Sequence, residues 1–418
     1  MTMLNRALPW ILLALGFVLA PKILSSNTAI TMLAMMSINI VFALSYNMLL
    51  GQTGLLSFGH AVYYGLAGFF AIHAMNYVVR DKLGVPLPFI PIVGGLAGLF
   101  FAFVFGWVST KRAGTVFSMI SLGLGELVAA SSLILRTFFG GEEGVTANRT
   151  KLPAFFGYKF GPQIEVYYLI AIWTFICIVL MYLLTRTPFG RMCNAVRENP
   201  ERAEFVGYST QRVRFIAFCL SGFFAGVAGA LAAINFEIMN AHSIGAAQSG
   251  AVLLMTYAGG AGYFFGPIIG AIIITWLQIT LSDVTGAWML YFGLLFILVV
   301  MFSPGGIAGW IMMHEPVWRA RRIGRLVPAY ALAAIPMALV IGGAIFIIEL
   351  AHHQLVKAAM ESPAMHVFGM TLQSNAVGTW LGALAIFAAG VVGLKLVWPK
   401  VSDAWGDALL DEKKEARR

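Results

Sequence analysis

The sequence predicts an all-α polytopic membrane protein: about ten core transmembrane helices arranged as an inverted repeat, followed by two more at the C-terminal end. Three observations predict it. Of 418 residues, 60% are apolar and only 11% charged, well outside the balance of a soluble domain. Apolar runs of about 20 residues recur along the whole chain, and no polar interval is long enough for a large soluble domain. The basic residues also sort to one side when these runs are threaded with the N-terminus inside. Only Lys22, Arg80, Lys82, Arg136, Arg149, Lys151, Lys159 and Lys357 then fall outside, eight of the 27, leaving nineteen inside. Both termini are therefore expected on the cytoplasmic side, and the net charge of +9 reads as positive-inside topology rather than as nucleic-acid binding.

The spans fall near 8–24, 29–50, 57–79, 89–108, 114–136, 165–184, 213–235, 246–258, 264–281, 288–302, 327–350 and 376–398. The opening MTMLNRALPW carries no small-residue cleavage site, so the first span reads as retained. Between 246 and 281 the charges decide for two crossings. A single crossing would put Arg319, Arg321, Arg322 and Arg325 outside, whereas a turn at 258–263 keeps them inside. The first of these crossings is short, either thinly spanning or a broken helix.

Spans two to five and seven to ten read as equivalent blocks that begin on opposite sides of the membrane, the plan of an inverted repeat. Glycine-rich interruptions accompany the third and eighth spans, GQTGLLSFGHAVYYG at 51–65 and GGAGYFFGPIIG at 259–270. For Gly222, Gly226, Gly229, Gly266 and Gly270 the spacing is that of close helix packing. The first interruption reads differently. Gln52, Thr53, Ser57 and His60 put polar groups at or near membrane depth, where irregular backbone is tolerated only if it lines a cavity or is buried in protein. Gly51, Gln52, Gly54, Ser57, Gly59 and His60 are therefore candidates for a substrate path. Glu126, the one acid in mid-span, joins them, against the plainer reading of a carboxyl hydrogen-bonded inside the bundle or held protonated.

The longest charged stretch between two spans is RTPFGRMCNAVRENPERAEFVGYSTQRVR at 186–214. Pro188 can open a helix, with Met192, Ala195 and Val196 on one side and Arg191, Asn194 and Arg197 on the other. Asn199-Pro200 ends it, and a second short run stops at Gly207. Two readings stay open: a solvated loop whose arginines fix orientation, or a docking helix for a cytoplasmic partner. Gly190 and Gly207, which bracket the segment, favour docking.

Chemistry is largely missing. No GxxxxGK[ST] occurs, so the chain has no P-loop of its own, and neither HExxH nor GxSxG is present. Cys177, Cys193 and Cys219 are scattered, with no disulfide or metal spacing. The scarcity of buried ionisable groups argues against a proton-coupled carrier.

Five stretches, in order, carry a resemblance. They are NMLLGQTGLLSFGHAVYYGLAGF at 47–69, AGTVFSMISLGLGELV at 113–128 with GGEEG at 140–144, PFGRMCNAVRENPERAEFVGYSTQRVRFIAFCLSGFFAGVAGAL at 188–231, the glycines from 259 to 270, and FSPGGI at 302–307. Together they resemble the permease subunits of branched-chain amino acid ABC importers of the LivM type, over residues 1–310. The resemblance implies a bacterial inner-membrane importer in which this chain is not itself an enzyme and binds no cofactor. A second, similar permease pairs with it, two cytoplasmic ATPases hold ATP and Mg, and a periplasmic binding protein delivers branched-chain or other hydrophobic amino acids. Urea or short-chain amides are the alternative cargo, and an ion-coupled secondary carrier the alternative class. The loop would then be the coupling helix, with Gly190, Arg191, Met192, Ala195, Val196, Arg197, Glu198, Asn199, Ala203 and Gly207 engaging the ATPase. Residues 311–418, a basic linker, a further transmembrane hairpin and a tail, fall outside the resemblance. Their histidines, His352, His353 and His366, read as solvated.

Overall fold

The structure, a computed structural model, describes residues 3–303, 305–319, 323–357, 364–367 and 370–415. Its helices are α1 (Met3–Ile23), α2 (Asn27–Thr53), α3 (Ala61–Arg80), α4 (Ile90–Ser109), α5 (Thr115–Ile134), α6 (Arg136–Phe139), α7 (Gln163–Arg186) and α8 (Pro188–Glu198). They continue with α9 (Pro200–Phe205), α10 (Thr210–Phe236), α11 (Ala246–Gly259), α12 (Gly266–Val284), α13 (Trp288–Phe302), α14 (Gly306–Arg319), α15 (Ile323–His352) and α16 (Val377–Glu415). Two short antiparallel pairs complete it: β1 (Val145–Thr146) with β2 (Ile238–Met239), and β3 (Ala364–Val367) with β4 (Met370–Gln373).

All twelve expected spans are helical. Among the described residues nine helices are long and apolar enough to cross a membrane unaided, and a tenth crossing exists if α13 and α14, bent by 41°, count as one. The question left open at 246–258 is answered by length. With 14 residues α11 rises only about 21 Å, short of a hydrocarbon core of about 30 Å. A stretch without α-helix, 237–245, holding β2 and a short 3-10 turn, precedes it. Likewise α13, with 15 residues, is too short to span alone.

The chain divides into two compact units, Met1–Ile279 with Phe296–Gly309, and Thr280–Leu295 with Trp310–Arg418. In the first, α2, α3, α4 and α10 pack around the most buried side chains, among them Tyr46, Phe42, Phe69 and Phe218. The closeness of α4 and α10 depends on glycine. A Cβ built at Gly98 would lie 2.3 Å from the Gly222 carbonyl oxygen, and one at Gly226 would lie 2.3 Å from that of Gly94. Helix ends follow local chemistry. Ser26 and Ser209 cap α2 and α10 through their hydroxyls, and Gly54 closes α2 in the left-handed region at φ +70°.

In the second unit, the stretch expected as a basic linker starts as helix α14, while Arg321, Arg322, Arg417 and Arg418 lie outside the described residues. The Tyr330 hydroxyl on α15 accepts from Trp405 Nε1 on α16 (2.7 Å) and bonds His314 Nε2 on α14 (2.8 Å). The histidine expectation needs correction. His353 is buried and its Nδ1 bonds the Ser374 hydroxyl at 3.1 Å, because the short β pair folds back over the end of α15. His352 is half-buried, and the side chain of His366 lies outside the described residues.

Candidate functional site

Between α2 and α3 the backbone runs non-helically over 54–60 and must find hydrogen-bond partners without a helix. Side chains from three helices supply them. Tyr46 on α2 donates to the Ser57 carbonyl (2.9 Å), and Ser118 on α5 donates to that of Leu56 (2.7 Å). The Phe58 amide donates to Ser121 Oγ on α5 (3.0 Å), and the Ala61 amide to Ser249 Oγ on α11 (3.1 Å). Gly59 lies directly against α5, so that a Cβ there would meet the Ser121 carbonyl at 2.1 Å. The break is thus a packed plug, its polar backbone satisfied by serine and tyrosine rather than by an open channel.

His60 is wholly buried in it, stacked on Phe42 and edge-on to Tyr46. Its Nε2 is 3.0 Å from Ser45 Oγ, whose proton already goes to the Phe42 carbonyl (2.7 Å). The hydroxyl therefore accepts, and His60 carries its proton on Nε2. Of the other path candidates, Gly51 and Ser57 are buried, Gln52 is half-buried and Gly54 exposed. Asn47 Oδ1, Ser57 Oγ and His60 Nδ1 are buried without a hydrogen-bond partner among the described residues.

Glu126 is not inside the bundle. It lies on the exposed side of α5 near Met119 and Leu127, while Phe117, Ser121, Gly125, Val128 and Ser132 face inward. Helical phase decides this, since one residue past Gly125 is a turn of 100° away from the core.

The loop forms two helices. Thr187 caps α8, accepting from the Gly190 amide (3.3 Å), and Asn199 caps α9, accepting from that of Arg202 (3.0 Å). Val196 and Cys193 are 1% exposed and pack with Ala203, Val213 and Ala217, with Phe189 and Met192 at the edge. This corrects the expectation that Val196 and Ala203 engage an ATPase: the apolar face of α8 is largely consumed by the chain's own α9 and α10, because an amphipathic helix beside a bundle buries its apolar stripe there. Burial also pushes the Cys193 thiol up to about 12. Arg197 turns back to donate from Nη1 to the Gly51 carbonyl at the end of α2, and Gly54 leaves room for its stem, a Cβ there lying 3.1 Å from Arg197 Cγ. Exposed residues include Pro188, Arg191, Ala195, Arg197 and Glu198 on α8, then Phe205 (90%), Val206 (75%) and Tyr208 (46%) at the tip. Gly207 holds φ +91° between them.

A family profile described as the permease component of branched-chain amino acid transport systems matches residues 28–303. The chain belongs to this family. The permease is 26% identical over 303 residues to the high-affinity branched-chain amino acid transport system permease protein LivM of Salmonella typhimurium, covering 68% of this chain and 70% of that one. Against LivM of Escherichia coli the identity is 27% over 291 residues, 65% and 67% of the two chains. The fructose import permease protein FrcC of Rhizobium meliloti is 26% identical over 281 residues, 63% of this chain and 73% of its own. No solved structure matches the chain. The permease is a multi-pass membrane protein of all-α architecture.

Sequence reasoning missed several residues of the site. Ser118, Ser121 and Ser249 satisfy the break from 62, 63 and 188 positions away, and no local pattern announces that pairing. The exposed Phe205-Val206 pair was legible as apolar residues in a charged loop. The run around it, however, reads as a helix face.

Proposed function

We propose that the permease is a translocating subunit of an ATP-driven importer for branched-chain or other hydrophobic amino acids in a bacterial inner membrane. A second permease and two ATPases assemble with it, a binding protein delivers the cargo, and both termini lie with α8 and α9 on the cytoplasmic side. The observation that carries the reading is the bond from Arg197 to the Gly51 carbonyl. It ties the exposed loop helices to the last turn of α2, three residues before the plug that closes the bundle. A push on α8 from an ATPase then reaches the break without passing through a flexible segment. On this reading the 51–60 break borders the path taken by cargo, and the exposed tip at Phe205, Val206 and Tyr208 seats in the ATPase, as apolar anchors ringed by charge do at protein interfaces.

Substrate class is the finer part of the proposal. The LivM relatives favour amino acids, whereas the fructose permease relative keeps sugars as the second reading. Proteoliposomes holding the complete complex test both. ATP-dependent uptake of leucine, with no uptake of fructose or urea, is expected. Fructose uptake, or leucine uptake driven by an ion gradient without ATP, overturns the proposal.

A further inference from the structure

The end of α10 repeats the end of α2 on the other half of the fold. Both helices have 27 residues, each opens on a serine that accepts from the amide three residues on, and each closes on a left-handed residue, Gly54 at φ +70° and Glu237 at φ +56°. Adding 183 to Ser26, Gly51 and Gly54 gives Ser209, Ile234 and Glu237. A break in the α-helical run follows both, 54–60 after α2 and 237–245, which holds β2 and a short 3-10 turn, after α10. At the first, the Gly51 carbonyl is held by Arg197. At the second, the carbonyl of Ile234, the counterpart of Gly51, is held by Arg149.

Arg149 is 8% exposed and forms only a long salt bridge, Nη1 to Glu237 Oε2 at 4.0 Å. Its guanidinium instead donates to five oxygens: the carbonyls of Ile234 and Asn235 (3.1 Å each), Phe160 (3.0 Å) and Gly161 (3.4 Å), and Gln163 Oε1 (3.3 Å). Its own amide donates to Glu237 Oε1 (2.7 Å). Ile234 and Asn235 lie in the last turn of α10, whose carbonyls have no helical partner and carry the negative end of the helix dipole. A guanidinium fork suits such a site, since it is planar, permanently charged and offers five donors. One side chain thereby joins the α5–α7 connection to the end of α10. The strands β1 and β2 continue the joint, pairing Val145 with Met239, and the Ala147 amide donates to the Glu237 carbonyl (2.9 Å).

What this joint holds in place is the wall of a cavity. Segment 237–245 supplies Ile238, Met239, His242 and Ser243 to a half-open pocket of about 150 Å³ whose other lining includes Asn39 on α2 and Gln248 on α11. That volume holds a ligand of roughly benzene's size, the scale of a branched aliphatic side chain. Its lining mixes apolar carbon with amide, hydroxyl and imidazole groups, the mixture that receives a small molecule with one apolar and one polar end.

We infer that this cavity is a holding site for the small amphipathic cargo, and that Arg149 is the positioning residue that latches segment 237–245 over it. The cavity opens fully when the bonds from Arg149 to the end of α10 let go, as the Arg197 bond governs the other break. The inference rests on the transport reading above, but its test separates the two.

Val145→Cys with Met239→Cys places a cysteine pair on the β1–β2 register, while Cys177, Cys193 and Cys219 are all buried. In the complete transporter, oxidising the pair locks the joint in the arrangement it already has. Compared with the same variant kept reduced, leucine uptake is expected to fall about ten-fold on oxidation. A merely structural joint tolerates being locked, so unchanged uptake in the oxidised protein overturns the latch, as does failure of the two cysteines to join. The second arm needs no cargo. Ser243→Cys, inside the cavity, is titrated with a small water-soluble methanethiosulfonate, alone and combined with Arg149→Lys, which keeps the charge but loses the fork. The combination is expected to react about five-fold faster, and equal rates overturn the inference. If the complex with Val145 and Met239 intact imports no leucine while Arg149→Lys still speeds labelling, the substrate reading fails and the latch stands.

Discussion

Arg197, near the end of α8, donates to the main-chain carbonyl of Gly51, near the end of α2. Gly51 belongs to the last turn of its helix, where carbonyls lack helical partners, so the bond satisfies an acceptor that would otherwise go unpaired. Arg197 therefore acts within the chain. Arg197→Ala is expected to leave ATPase co-purification unchanged while uncoupling hydrolysis from uptake, at a stability cost of about 1.5 kcal/mol for a charge-assisted bond that is partly exposed. Uptake per ATP hydrolysed, measured in proteoliposomes, checks this. Loss of the ATPase from the purified variant would return Arg197 to the role of an outward anchor.

Docking is assigned instead to the tip. Phe205→Ala should weaken ATPase binding by more than about 1 kcal/mol, the threshold at which a truncated residue counts as an interface anchor. Val196→Ala, buried against α10, should lower thermal stability by about 0.5–1.5 kcal/mol through lost packing and leave docking alone. The two measurements, subunit affinity and unfolding temperature, should thus move separately in the two variants.

Gly207 lies at φ +91° with open space around it, so no clash complicates substitution. Gly207→Val should cost about 1–2 kcal/mol from backbone strain alone, and Gly207→Asn clearly less, because asparagine tolerates the left-handed region. Thermal unfolding of the purified chain distinguishes them, and equal loss in both would show that strain is not the cause.

The plug predicts an asymmetry in cysteine substitution. Ser57→Cys replaces an oxygen that has no partner and should be tolerated. Gly59→Cys drives a Cβ to 2.1 Å from the Ser121 carbonyl and should lower membrane levels, at an overpacking cost of about 1–3 kcal/mol. Immunoblots of membrane fractions for the two variants read the difference.

Cys193 gives a prediction in pH. With its folded value pushed up to about 12 by burial, the thiol stays protonated at every pH usable with the native protein. The sign follows: the folded state favours the neutral thiol, so this contribution to stability is present below the unfolded value of about 8.5 and is lost as pH rises through the folded one. Iodoacetamide at pH 8 should leave Cys193 unlabelled in the folded permease and label it once denatured. Rapid labelling of the native protein would place the thiol at the surface.

The sequence by itself determined the class, the positions of the helices and the family. These depend on properties read one segment at a time. Apolar length marks a span, a serine or a proline marks a helix start, and FGRMCNAVRENPERAEFVGYS is a motif wherever it folds. The glycines at 222 and 226 were also legible, because small residues four apart on an apolar helix have one common use. Tertiary structure alone decided which way residues face and whom they meet. Glu126 points outward because its neighbours in phase, Gly125 and Val128, are the ones that pack. Val196 is buried because α10 lies beneath it, and Arg197 turns inward because an unpaired carbonyl waits at the end of a helix 146 residues earlier in the chain. The same holds for Arg149 and Ile234, 85 residues apart. The physical reason is that a hydrogen bond between distant segments leaves no periodicity in either. Each partner looks like an ordinary arginine or an ordinary helix end until the fold brings the two together.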